Sequence, residues 1–187
     1  MANRTPKLDR VLSIAAILLS LATLVVLIYQ SRLMREHEEK SVLPKLELWN
    51  TPQADQYNLN LLNMGLGPAV VERVEVHFED SVYVLDPRDF SAQYLHTVQK
   101  DTVAFSGSNL YPGMIIPANA SFPLVQVPHE GQEEEHPLVE LFYFNRARVI
   151  IYYSSVYGRL WKLEGMGKIP QLLPHEAPEV SEQLFGG

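Results

Sequence analysis

The chain has 187 residues, no Cys, and 22 acidic against 15 basic side chains, for a net charge of −7. The absence of Cys excludes disulfides, thiol catalysis and Cys-ligated zinc together. Six basic and four acidic residues lie in 1–40, which leaves nine basic and eighteen acidic in the rest; such an acidic domain is a poor candidate for nucleic acid or for lying flat on anionic lipid, both of which are bound through Lys and Arg.

Residues 1–10 form a basic tail carrying Arg4, Lys7 and Arg10. The run 11–29, from Val11 to Tyr29, holds no charge, Pro or Gly, and as a helix it covers roughly 28 Å at about 1.5 Å per residue, close to a bilayer's hydrocarbon thickness. A single transmembrane helix is therefore predicted, with Tyr29 at headgroup level. The competing reading is a cleavable signal peptide. The run exceeds the roughly 7–15 residues of such a segment, and Ile28 to Arg32 offers no small-x-small cleavage site, so an uncleaved signal anchor is expected. Lys and Arg nearly balance across the span: Arg4, Lys7 and Arg10 before it, Arg32, Arg35 and Lys40 after it. Orientation therefore rests on a short basic tail beside a large acidic domain, which gives an inside N-terminus and an extracytoplasmic (periplasmic) C-terminal domain at the cell membrane. Ala16, Ser20 and Thr23 share one face of the helix, where small side chains would let a partner helix or a second copy approach closely.

Gln30 to Lys40 is rich in helix formers and predicts a stalk helix over 30–42, stopped by Pro44. From Leu43 the pattern has period two. Leu46 and Leu48, then a turn over 51–55, then Tyr57, Leu59 and Leu61 predict a hairpin; Val70, Val74 and Val76 predict the next strand, and Val82, Val84 and Leu85 a further one. Asp86-Pro87 reads as an N-cap with Pro at the first helical position, opening a short helix through Phe90, Tyr94, Leu95 and Val98. Strands follow at 102–105, 114–116 and 122–127, then the acidic loop 128–137. Residues 138–144 fit a short helix or a strand. Arg148 to Tyr153 is apolar on both alternating faces, as a central strand must be, and Val156-Tyr157-Gly158 turns it into 159–163. Trp49 and Trp161, on predicted strands, are expected in the core. Pro170, Pro174 and Pro178 mark an unpatterned, loosely held tail over 170–187.

These elements predict a mainly β domain over 43–169, a β-sandwich with one or two short helices behind the membrane helix. The segment Asn63-Met64-Gly65-Leu66-Gly67-Pro68-Ala69, between the strands 58–62 and 70–76, resembles the strand-turn-strand signature of bacterial immunoglobulin-like domains of the cell-adhesion (CARDB-like) kind. With the apolar strand and Tyr-Gly turn of Tyr152 to Gly158, it is also similar to a pattern in uncharacterised membrane-anchored bacterial proteins. The resemblance covers about a third of the domain and implies a sandwich used for binding or spacing, with no catalytic residues to transfer. Asn63, Gly65, Gly67 and Pro68 read as a structural turn, the glycines supplying positive φ and Pro68 fixing the exit.

Catalytic chemistry is hard to assemble from this sequence. His129 and His136 flank a run of glutamates, but six intervening loop residues fix no metal geometry. Gly165-Met166-Gly167-Lys168 lacks the first Gly and the Ser or Thr of a phosphate loop, and Phe105 to Asn109 is no nucleophile elbow. His77, His96 and His175 show no partner. Asn119-Ala120-Ser121 fits a glycosylation sequon, and the terminal Gly186-Gly187 follows a domain unlike ubiquitin. The expectation is a non-enzymatic protein with no cofactor and no metal: a membrane-anchored interaction module or small accessory subunit of a membrane complex. The alternative is a ligand-binding sensor or adhesin at the membrane surface, and a hydrolase with a site built from scattered residues comes third. Expected partners are the lipid bilayer along 11–29, a membrane protein or a second copy of the chain, and no nucleic acid.

Overall fold

The computed structural model describes residues 6–52, 56–100, 104–128 and 136–174. The chain divides into two compact units, Met1–Ser41 and Val42–Gly187.

The first unit is a helix, α1 (Pro6–Ser41). The most apolar 18-residue window of its stretch Arg10–Arg35 has a mean hydropathy of 2.9, and none of that window is buried within the protein. An apolar N-terminal helix of this length can anchor a chain in a membrane. The helix continues without a break through the expected stalk, because nothing between Gln30 and Ser41 interrupts the backbone ladder.

The second unit contains β1 (Leu46–Pro52), β2 (Gln56–Asn63), β3 (Ala69–Phe78), β4 (Ser81–Tyr83), α2 (Pro87–Thr97), β5 (Ile115–Ile116), β6 (Ser121–Pro128), α3 (Pro137–Tyr143), β7 (Ala147–Ser155), β8 (Leu160–Glu164) and β9 (Gln171–Leu173). All pairings are antiparallel. One sheet has the order β1-β2-β6; the other runs β4-β3-β7-β8-β9, with β5 also pairing β3. The expected hairpin is present in the register Leu46↔Asn63 to Pro52↔Tyr57. β7 sits between β3 and β8, the central place that its two apolar faces require.

Leu48, Tyr57, Leu59 and Leu61 of the first sheet share one buried cluster with Val71, Val74, Val149, Ile151 and Tyr153 of the second. α2 packs against β3 and β6, burying Phe90 and Leu95, and its Phe90 and Tyr94 join Phe78 and Tyr83 in an aromatic cluster. Its start is the expected one: the Asp86 carboxylate accepts the Asp89 N–H at 2.9 Å, with Pro87 at the first turn. The ambiguous segment 138–144 is helical, capped by His136 Nδ1, which accepts the Leu138 N–H at 3.2 Å.

Three expectations are corrected. The content is mixed, about 37% strand and 31% helix, because α1 and the two shorter helices weigh against the strands. Gln171–Leu173 of the expected loose tail pairs with β8 as an edge strand, and 175–187 lie outside the described residues. Trp49 is 55% exposed: Leu46 and Leu48 point into the core, so the pleat turns Trp49 outward. Trp161 does pack, stacking on Tyr153 with ring centroids 5.8 Å apart.

Burial pushes the Tyr153 hydroxyl from its ordinary 10 up to about 12 and raises Tyr57 in the same direction. Below pH 10 both tyrosines are protonated in folded and unfolded chains alike, and their contribution is fully present. As pH rises from 10 toward 12 the unfolded chain releases the Tyr153 proton while the folded one keeps it, so stability falls by about 1.4 kcal/mol per pH unit from that residue alone. Urea midpoints of the full-length protein in detergent, taken from pH 8 to 11.5, should decline only above about pH 10, and a flat profile would contradict this assignment.

Candidate functional site

Three places in the molecule gather polar or functional side chains. On α1, Ala16, Ser20 and Thr23 are exposed. The Thr23 hydroxyl donates to the Leu19 carbonyl at 2.9 Å, so that apolar face carries a satisfied polar group.

The turn Asn63 to Pro68 is a clamp on the chain entering from α1. Asn63 is fully buried. Its Oδ1 accepts the N–H of Lys45 at 3.2 Å and of Gly65 at 3.0 Å; its amide nitrogen donates to the carbonyls of Gly67 at 2.9 Å and of Ile116 and Pro117 at 3.2 Å. One side chain thus ties the entry segment, the turn and the β5–β6 connection. The glycines are present for a different reason from the one the sequence gives. Neither Gly65 nor Gly67 has positive φ; a Cβ on Gly67 would lie 1.8 Å from the Val42 carbonyl oxygen, and one on Gly65 2.3 Å from that of Leu43. Leu66 and Gly67 also donate to the Leu43 carbonyl at 3.1 and 3.4 Å. Close backbone approach sets these positions. Gly67→Ala should therefore cost about 3 kcal/mol in denaturant unfolding, since backbone cannot yield as a side-chain tip can. A loss under about 1 kcal/mol would mean that the entry segment relaxes freely.

The third place is a charged face of the six-stranded sheet. Period two puts Arg73, Glu75 and His77 on the same side of β3, and the register sets Tyr152 opposite Arg73, Ile150 opposite Glu75 and Arg148 opposite His77. β8 adds Lys162 beside Tyr152 and Glu164 beside Ile150. Glu75 is 1% exposed and binds Arg73 on one oxygen and His77 Nε2 at 2.9 Å on the other. The Arg73 guanidinium stands 4.9 Å over the Tyr152 ring. Glu164 meets Lys162 at 2.9 Å and Arg148 at 3.6 Å, while Ser154 donates to Glu72 at 2.5 Å. Burial raises the Tyr152 hydroxyl and the Glu75 charge adds to this; the Lys162 hydrogen bond holds Glu164 below the usual carboxylate range.

Sequence reasoning left His77 without a partner. The alternation Arg-x-Glu-x-His on a strand was the available signal, whereas the contributions of β7 and β8 depend on a register that the sequence does not state. The arrangement binds charge in a fixed pattern. Among the described residues no group of three or more His, Asp or Glu is placed to hold a metal ion. Of the flanking histidines considered for metal, His129 lies outside the described residues and His136 caps α3.

On the three-stranded sheet the Gln126 amide donates to Asn58 at 3.2 Å, and Ser106 and Gln126 are paired by a bridge. An open groove of about 250 Å³ lies alongside, lined by Gln56, Phe105, Ser106 and Gln126. Inside the core, the void among Leu48, Leu59, Phe142 and Val149 is only about 10 Å³, too small to hold more than a single water.

Comparison of the chain with protein families, with curated proteins and with solved structures finds no match in any of the three.

Proposed function

We propose that the protein is a non-enzymatic, single-pass, membrane-anchored interaction module, a small accessory subunit of a membrane complex. The observation that carries this reading is α1, whose stretch Arg10–Arg35 is long, apolar and unburied and must be covered by lipid or by other helices. The second unit then acts at a membrane surface, with an orientation in which the basic tail stays inside and the acidic domain lies outside, in the periplasm. Two antiparallel sheets around one core support an immunoglobulin-like β-sandwich, with α2 and α3 as additions to that plan. Two surfaces are candidates for recognition: the face of Ala16, Ser20 and Thr23 on α1, and the Arg73–Glu75–His77 face of the second unit.

The test is a detergent pull-down of the full-length protein beside a version beginning at Ser41, with every co-purifying chain identified. A partner held only by the full-length form, and lost on Ala16→Leu or Ser20→Leu, places recognition on the helix. A partner held by both places it on the sheets. No partner with either form counts against the module reading and favours a ligand-binding sensor or adhesin, for which the groove beside Gln56, Phe105 and Gln126 is the candidate surface.

A further inference from the structure

We infer that the outer face of the three-stranded sheet is a binding site for a neutral oligosaccharide, stacked on Trp49 and held by the amides of Asn58, Asn60 and Gln126. The inference concerns the second unit alone and stands whether or not α1 finds a partner.

The register gathers these side chains on one side. Leu48, Tyr57, Leu59, Val125 and Val127 turn into the core, so the pleat turns their neighbours outward. Trp49 lies opposite Asn60 in one row. In the next, Thr51 lies opposite Asn58, Asn58 opposite Gln126, and Ser106 bridges to Gln126. Three strand spacings of about 4.8 Å make that second row roughly 14 Å long. Gln56 follows two residues before Asn58 on the same side, where the face deepens into the groove of about 250 Å³ beside Phe105.

The chemistry of the face has two parts. Trp49 is 55% exposed, so a broad apolar ring is presented rather than packed. A sugar ring offers a face of C–H bonds with partial positive charge, which suits the electron-rich face of an indole. The second part is a set of amides held in place by one another: Asn60 donates to the Thr51 hydroxyl at 3.3 Å, Gln126 donates to Asn58 Oδ1 at 3.2 Å, and Ser106 donates to Gln126 Oε1 at 3.4 Å. Asn58 is 5% exposed, and its amide nitrogen meets no acceptor among the described residues, yet it is not closed off from solvent. A buried donor left open in this way is available to a ligand oxygen, and amides carry donor and acceptor side by side, as sugar hydroxyls do.

Charge narrows the ligand. None of the side chains in these two rows is charged, in a unit with twice as many acidic as basic residues; Glu47 stands one row beyond Trp49. Nucleic acid and anionic lipid would find no Lys or Arg in these rows. An extended peptide adds to a sheet at an edge, through free backbone groups, which β2 between β1 and β6 does not offer. A ligand that is uncharged, dense in hydroxyls and apolar on its ring faces matches what the face presents.

The test uses the full-length protein in phosphatidylcholine nanodiscs, which avoid sugar-based detergents. Titration calorimetry would be run with cellohexaose, xylohexaose, maltohexaose and chitohexaose, and with hexagalacturonic acid as the charged comparison. At least one neutral hexamer should bind saturably and the acidic one should not. Trp49→Ala and Gln126→Ala should each weaken that binding about ten-fold or more, and Trp49→Phe should restore part of it. Tyr111→Ala, which removes a ring 60% exposed outside the face, should leave it unchanged. No binding of any neutral hexamer would overturn the inference, as would binding that survives Trp49→Ala or that is matched by the acidic hexamer. None of these outcomes bears on the anchor reading, which the pull-down tests separately.

Discussion

Replacing Asn63 with Ala is expected to lower the unfolding free energy of the full-length protein by about 4 kcal/mol, a large share of what holds a domain of this size together. The truncation deletes no apolar packing to speak of. It leaves the N–H groups of Lys45 and Gly65 and the carbonyls of Gly67, Ile116 and Pro117 without the side chain that joins them, in a place where Asn63 itself is fully buried. Each buried group deprived of a partner costs about 1–3 kcal/mol, and water can return to only some of them. Asn63→Asp separates the two halves of the amide: it keeps an acceptor for Lys45 and Gly65 and loses the donor to the three carbonyls, which then face a carboxylate. Its cost should therefore be at least as large as that of Ala. Denaturant titration in detergent, followed by tryptophan fluorescence, reads both variants. If Asn63→Ala lost less than about 1 kcal/mol, the turn would be held by its glycines and backbone bonds alone.

Local signals carried much of the fold. The alternation of Leu46, Leu48, Tyr57, Leu59 and Leu61 gave the β1–β2 hairpin, Asp86-Pro87 gave the start of α2, and the doubly apolar run from Arg148 to Tyr153 gave the central strand. Each of these depends on a few neighbouring residues. The exposure of Trp49 is readable from its phase, since the pleat that buries Leu48 must expose the next residue. β9 escaped because three residues between prolines carry no period and form a strand only by pairing with β8. Gly65 and Gly67 were singled out for the wrong property: a sequence shows that a side chain is missing, not that the backbone of Val42 and Leu43 will pass through its place. The charged face was the least legible. Tyr152, Lys162 and Glu164 reach Arg73 and Glu75 only through two registers, one of which shifts at the bulge between Val71 and Arg73.

That face gives the second large effect. Glu75→Ala removes the carboxylate shared by Arg73 and His77 at a position 1% exposed, and breaking one side of a buried pair costs about 3–5 kcal/mol. The loss alone would not say why the pair is there. A buried ion pair is weak evidence of stability in its own right, because apolar residues of similar size often hold a site as well or better. The double variant Arg73→Met with Glu75→Met should accordingly recover to within about 1 kcal/mol of the parent, since the Met side chains can pack against Tyr152 and Ile150 without desolvating a charge. Unfolding midpoints of the single and double variants make that comparison, and a double variant no better than Glu75→Ala would show the ion pair to be required for folding. If the double variant recovers, it becomes the tool that separates stability from recognition. A partner that survives Ala16→Leu yet is lost from this folded double variant must read the charges of β3, and with them the pattern that Lys162 and Glu164 extend across the sheet.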